Sequence, residues 1–447
     1  MIRRQGNIAR QGLVAGLAAG FVLFSGQGLA NDTDTAPDPE TQGPAYERLQ
    51  LMAEILTIVE SDYVEPVETS KLIEGALDGA LSKLDPHSSY VPPVAFTEQQ
   101  KAARREYGGL GIEVIMEDEG ILVSYALEEG PAYGAGIRSG DYITAVEGES
   151  IVGKDLDEAV DGIRGLAGDP VNVTILSPAS EPREVTVVRE QVRGRAIRHR
   201  VEDGLGYIVI DTFNNEKLTD DLRHALNLLD TEIEGDLPGL IIDLRGNRGG
   251  LLTQSVSVAG LFLDGGEVLS VRGRDDIDTE RYHAADGELY PDTPIVILVS
   301  PGSASAAEIV AGAIQDRGRG VVLGRRSFGK GSVQSVTPLP DNRGALRLTT
   351  QKYYTPSGQS IQGRGIMPDL LVAALDDTGE LRDRFREDSL PNALTNDDKS
   401  TYEENYEDVI FPPEDFPVTE DFQLSQAIDV LKTDRYRTLL DAQSDLD

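Results

Sequence analysis

The sequence predicts an α/β plus β protein: an N-terminal helical region, an inserted β-rich module, and a layered α/β core around a buried sheet. Three observations predict it. Continuous apolar runs at 207–210, 240–244 and 294–299 alternate with stretches of helical period, as strands covered on both faces by helices do. Residues 107–189 are short, alternating and punctuated by glycine, as in a small β module. Between Tyr46 and Leu84, apolar residues recur at spacings of three and four, the period of helices.

The chain has 447 residues, room for two or three domains. Residues 1–30 read as an export signal or anchor. Arg3, Arg4 and Arg10 are basic, Gly12 to Phe24 is uncharged and apolar, and Gly28 and Ala30 suit cleavage before Asn31. The apolar run is short for a spanning helix. A cleaved signal and a periplasmic protein are therefore expected, with a membrane-attached form facing the periplasm as the alternative. Residues 31–104 hold a proline-bearing linker, 31–44, and then the helical region. The β module takes 105–190 and the core 191–375. The acidic tail, 376–447, is weakly periodic and partly disordered by composition up to 420 and ends in an amphipathic helix over 421–433.

Composition excludes several classes. With 41 basic and 77 acidic residues the net charge is −36, which disfavours nucleic acid as a partner. No cysteine occurs, so neither disulfides nor thiol chemistry apply. His87, His199, His224 and His283 are scattered without paired spacing, so neither a metal site nor any cofactor is expected.

The chemistry concentrates in 301–334, PGSASAAEIVAGAIQDRGRGVVLGRRSFGKGSVQ. Ser305 precedes a helix candidate ending near Asp316, a strand candidate follows, and Lys330 lies in the next loop. A layered fold can bring the two together as a hydrolytic pair, because a hydroxyl needs a base to become a nucleophile. Lysine is that base only when neutral. From an ordinary pKa of about 10.4, a working value near 7 requires a depression of roughly 3 units, about 4 kcal/mol, which burial can supply. A structural reading stands beside this one, since Ser305-Ala-Ala-Glu308 is also a capping box. A phosphate loop at Gly324–Gly331 is disfavoured. Gly331 replaces the metal-binding hydroxyl, and the following SVQSVTPLP is not helical.

GSASAAEIVAGAIQD with GRRSFGKGSVQ resembles the active-site signature of the carboxy-terminal processing proteases, serine peptidases with a Ser–Lys dyad. The resemblance implies Ser305 as nucleophile, Lys330 as general base and Gln334 as the residue orienting that lysine. Ser303, Ser327 and Ser332 are then ordinary loop hydroxyls. DLRGNRGG at 243–250 is similar to the element that completes the family's oxyanion hole, which implies the N–H of Gly249 together with that of Ala306. The family usually carries serine at the position of Ala307, and many relatives carry proline at that of Arg248. Without the family, the Gly-Gly pair reads as a tight strand-to-helix turn. LDPHS at 84–88 resembles the end of the family's N-terminal region, which packs between subunits. His87 is expected to be a turn residue capping local backbone.

GGLGIEV at 108–114, with the blocks at 130–148, resembles a PDZ domain. That implies capture of a peptide carboxy-terminus by the N–H groups of Leu110, Gly111 and Ile112, the peptide adding a strand to a sheet edge. Read alone, Gly-Leu-Gly is a turn. The expected protein is an exported endopeptidase cutting near substrate carboxy-termini. The competing class is a non-catalytic or partner-activated peptide-binding scaffold.

Overall fold

The computed structural model describes residues 39–103, 107–117, 120–127, 130–154, 156–178, 180–190, 196–233, 235–375, 386–396 and 408–444. The expected signal, 1–30, lies outside them. Its centre is a six-stranded sheet. Strand Ile197–Glu202 pairs antiparallel with Leu205–Ile210, after which Leu240–Asp243, Ile295–Val299, Val321–Gly324 and Leu370–Leu371 add in parallel.

Alternation along these strands builds two apolar layers, because successive side chains point to opposite faces. Ile208, Ile210, Leu240, Ile242, Ile295 and Ile297 face helices Leu218–Ile233, Leu252–Ala259 and Ala306–Asp316. Tyr207, Val209, Ile241, Val296 and Leu298 face the terminal helix Phe422–Lys432 through Phe422, Leu424, Ala427 and Val430. A further helix, Arg435–Ser444, extends the tail beyond the expected one. On Leu218–Ile233, Leu222, Ala225, Leu226 and Leu229 are buried, while His224 is exposed as its helical position predicts.

A second sheet is entirely antiparallel. Ala345–Tyr354 pairs with Ser332–Pro338, Ser89–Val91 and Glu267–Arg272, and Thr279–His283 extends it. This sheet carries the residues just after Lys330 and ties them to the LDPHS segment. The β module has its own core around Ile121, Val123, Ile143, Val171, Val173 and Ile175. Its strand Ile112–Glu117 pairs with Gly120–Ala126 and ends the described sheet order, leaving an edge where a strand can add.

The N-terminal region forms helices Pro39–Asp62 and Thr69–Leu81. The first begins inside the stretch whose composition predicts a linker; proline at a helix start gives up no hydrogen bond. Part of the acidic tail is described. Residues 386–396 are folded, with a 3₁₀ turn at Glu387–Ser389, and Glu387 is fully buried.

Candidate active site

Ser305 sits at the N-terminus of helix Ala306–Asp316 with φ 57° and ψ −115°. A β-carbon is strained in that left-handed region, at a cost of about 1–3 kcal/mol. Surrounding bonds hold it there. Ser303 Oγ donates to the carbonyl of Leu244 at 2.7 Å, the Ala304 N–H donates to the carbonyl of Asn247, and the Phe328 N–H donates to the carbonyl of Ser303. The nucleophile candidate thus stands half-buried on a sharp turn between the strand Ile295–Val299 and its helix.

Glu308 ties this turn to the lysine loop. One of its oxygens, Oε2, accepts from the N–H of Ser305 at 2.7 Å and from the N–H of Lys330 at 3.0 Å. The two backbone nitrogens are therefore no farther apart than those two bonds laid end to end. The other oxygen, Oε1, accepts from the Gly329 N–H at 2.7 Å and from Ser327 Oγ at 2.5 Å. Burial pushes the Glu308 carboxyl up to about 7, against the pull of these four donors. All four neighbours donate, so the ionised, acceptor-only form fits them best. The sequence shows Glu308 as half of a capping box; its reach into the lysine loop is a tertiary contact that spacing does not reveal.

Lys330 lies between the buried strand Val321–Gly324 and the strand Ser332–Pro338. Burial lowers its ammonium pKa. Glu387 opposes that shift, Arg347 adds to it, and Glu308 opposes it. Gly331 leaves no room for a side chain: a β-carbon there would stand 2.3 Å from the N of Gln362. Gln334 faces Thr349 across the antiparallel pair, and its amide donates to Ser332 Oγ at 3.0 Å and Thr349 Oγ1 at 3.2 Å. Thr349 Oγ1 in turn donates to Asp85 Oδ1 at 3.0 Å. Burial alone would raise the Asp85 carboxyl; bonds from Ser88 Oγ, the N–H groups of His87 and Ser88, and Thr349 outweigh it and hold it below its usual range.

The DLRGNRGG loop abuts the nucleophile turn. Gly249 has φ 93°, and a β-carbon on it would come within 2.9 Å of both the Ala306 N and Ser305 Cβ. Its N–H, however, donates to Asn247 Oδ1 at 2.8 Å, and buried Asn247 is itself pinned through Nδ2 to the carbonyl of Ile210. The expected oxyanion donor is adjacent to the serine but turned into its own loop. Ala306 opens the helix, where the first N–H groups lack intrahelical partners. Arg245 anchors the loop from below, bridging Asp243 and the terminal-helix cap Asp421, each at 2.6 Å.

Two expectations are corrected. Ser303, Ser327 and Ser332 are not ordinary loop hydroxyls but buried, bonded groups. His87 does bond locally through its N–H to Asp85, but its ring reaches 2.9 Å from both oxygens of Glu387. Glu387, within a stretch composition marks as partly disordered, is packed beside the lysine loop. In the β module, Gly111 has φ 73°. The carbonyls of Leu110 and Gly111 accept from Ala132 and Leu127, turning inward.

Comparison with known proteins supplies the family. The carboxy-terminal-processing protease of Bartonella bacilliformis is 45% identical over 329 residues, covering 73% of this chain and 75% of that protein. The chain belongs to peptidase family S41, the carboxy-terminal processing proteases. It is by that membership a serine-type peptidase. The S41 family matches residues 204–372, a PDZ domain matches 122–177, and the N-terminal domain of the activating protease CtpB matches 14–93. The Staphylococcus aureus protein named "Probable CtpA-like serine protease" is 34% identical, over 72% of this chain and 64% of its own length. Among solved structures, the photosystem II D1 C-terminal processing protease is 28% identical, with a TM-score of 0.44, covering 72% of this chain and 92% of that one.

Proposed function

We propose that the chain is an exported endopeptidase cleaving proteins near their carboxy-termini through a Ser305–Lys330 dyad. The observation that carries this reading is the shared bond acceptor: Glu308 Oε2 receives the N–H of both residues, fixing the two loops against each other. Neutral Lys330 takes the hydroxyl proton as Ser305 Oγ attacks the substrate carbonyl. The resulting ammonium returns a proton to the leaving amine. Water then hydrolyses the acyl-enzyme with the same lysine as base. The N–H of Ala306 and the N–H of Gly249 stabilise the tetrahedral oxyanion, and Gln334, bonded to Thr349 on the neighbouring strand, orients the lysine. The PDZ domain holds the substrate tail at the N–H groups of Leu110, Gly111 and Ile112.

For Gly249 to donate to an oxyanion, its bond to Asn247 must open. That bond favours one second reading, a protease that stays at rest until a partner or peptide turns the loop. The proposed domain limits are 31–104, 105–190, 191–375 and 376–447, after a signal or anchor at 1–30. The N-terminal helices are proposed as a contact between copies of the chain. The test is cleavage of an unfolded protein by purified Ser305→Ala. Complete loss is expected, and full retention refutes the dyad.

A further inference from the structure

We propose that Glu387 is a positioning residue for the reaction, a buried counter-charge packed against the lysine loop that tunes Lys330 as a base, with His87 as a partner of its carboxylate. The inference rests on the Ser305–Lys330 reading. A carboxylate removed from water must be met by donors, and those of Glu387 come from two distant parts of the chain. His87 Nε2 lies 2.9 Å from both of its oxygens, and Gln362 Nε2 donates to Oε1 at 3.0 Å.

Glu387 and its donor Gln362 together bracket the lysine. The Glu387 N–H donates to the carbonyl of Phe328, two residues before Lys330. The amide oxygen of Gln362 accepts from the N–H of Gly331, the residue after it, at 3.1 Å. The seat is built from several elements. Asn392 donates to the carbonyl of Ser82 at 2.8 Å, Asn396 to those of Ser360 and Gln362, and Lys352 to that of Thr395.

A carboxylate beside a lysine favours the ammonium, which at first sight opposes a base that must start neutral. The balance resolves it. Burial lowers the pKa of Lys330, and too much burial would leave an amine too weak to take the serine's proton. Glu387 restores basicity and stabilises the ammonium that forms during attack, as a carboxylate does for the imidazolium of a histidine base. Among the described residues, the charges that act on Lys330 are Glu387 from this segment, Arg347 from strand Ala345–Tyr354 and Glu308 from the nucleophile helix. Glu387 itself faces His87 from the N-terminal segment, while its neighbour Asp388 pairs with Arg326 at 3.6 Å.

The two partners should shift the pH profile in opposite directions. Activity rises as Lys330 loses its proton. Removing the carboxylate makes that loss easier, so Glu387→Gln moves the acid limb of kcat/KM to lower pH, by about one unit. His87→Ala removes a hydrogen-bond partner from the carboxylate, leaves more of its charge to act on Lys330 and moves the limb to higher pH. Asp388→Asn leaves it in place. The same order is expected without turnover, in a Ser305→Ala background, from the pH dependence of Lys330 modification by an amine-selective reagent, read by peptide mass spectrometry. Melting curves identify any variant that fails to fold, and the other member of the pair then carries the test. Opposite shifts in both measurements support the proposal. Unmoved profiles in folded variants overturn it, while loss of cleavage in Ser305→Ala still leaves the dyad standing.

Discussion

Two helical regions of this chain stand in contrast. In the nucleophile helix, every residue from Ala306 to Ile314 is buried against the sheet and its neighbours. In the N-terminal pair, Met52, Leu56 and Val59 are only partly covered, and Leu49 (62%), Ile55 (51%) and Ile58 (58%) stay exposed. Both regions read as apolar helices in sequence. The first completes a core within its own chain; the second presents apolar surface that the described residues leave uncovered, as contact surfaces between subunits do. The proposed catalytic geometry thus lies within one chain, while the N-terminal arm carries the proposed association. The two meet at 85–91, where Asp85, His87 and Ser88 bond to residues beside the lysine.

The comparison breaks most sharply at Glu308. Glu308→Gln turns an acceptor-only group into an amide whose NH₂ faces donors. We expect a loss of about 3 kcal/mol in denaturant unfolding, from two mismatched buried bonds, and cleavage lost with it. The sign of its pH dependence can also be worked out. A carboxyl pushed up to about 7 in the fold binds its proton more tightly there than in the unfolded chain. Its contribution to stability is therefore full below the ordinary carboxyl range and is lost as pH rises through about 7. That downward slope should be missing from the variant's stability profile.

Ile55→Asp with Ile58→Asp sharpens the other side. Core unfolding should change by less than about 0.5 kcal/mol, as at exposed sites, while sedimentation should report a smaller assembly. A shared loss of core stability would erase the distinction between the two regions. The smallest effect concerns strain at the nucleophile. With φ at 57°, Ser305→Gly should unfold about 1 kcal/mol later than Ser305→Ala, since glycine accepts that backbone freely and alanine does not.

Much of this architecture is legible in sequence, because apolar runs such as Leu240–Leu244 and Pro294–Val299 belong to a sheet covered on both faces. The S-A-A-E spacing likewise marks the start of the nucleophile helix. What spacing cannot give is the direction of a single N–H: Gly249 is adjacent to Ser305, yet its donor goes to Asn247. Nor does composition reveal one buried carboxylate in an acidic stretch, since averaging over 376–420 hides Glu387 among solvated neighbours. Its partner His87 lies 300 residues away, beyond any local pattern.

The most direct test of a neutral Lys330 activating Ser305 is covalent labelling by an active-site serine reagent, located by peptide mass spectrometry and followed against pH. The dyad predicts a modified Ser305 whose labelling rate climbs as the lysine deprotonates and falls to background in Lys330→Ala. Undiminished labelling of Ser305 in a folded Lys330→Ala protein would contradict it.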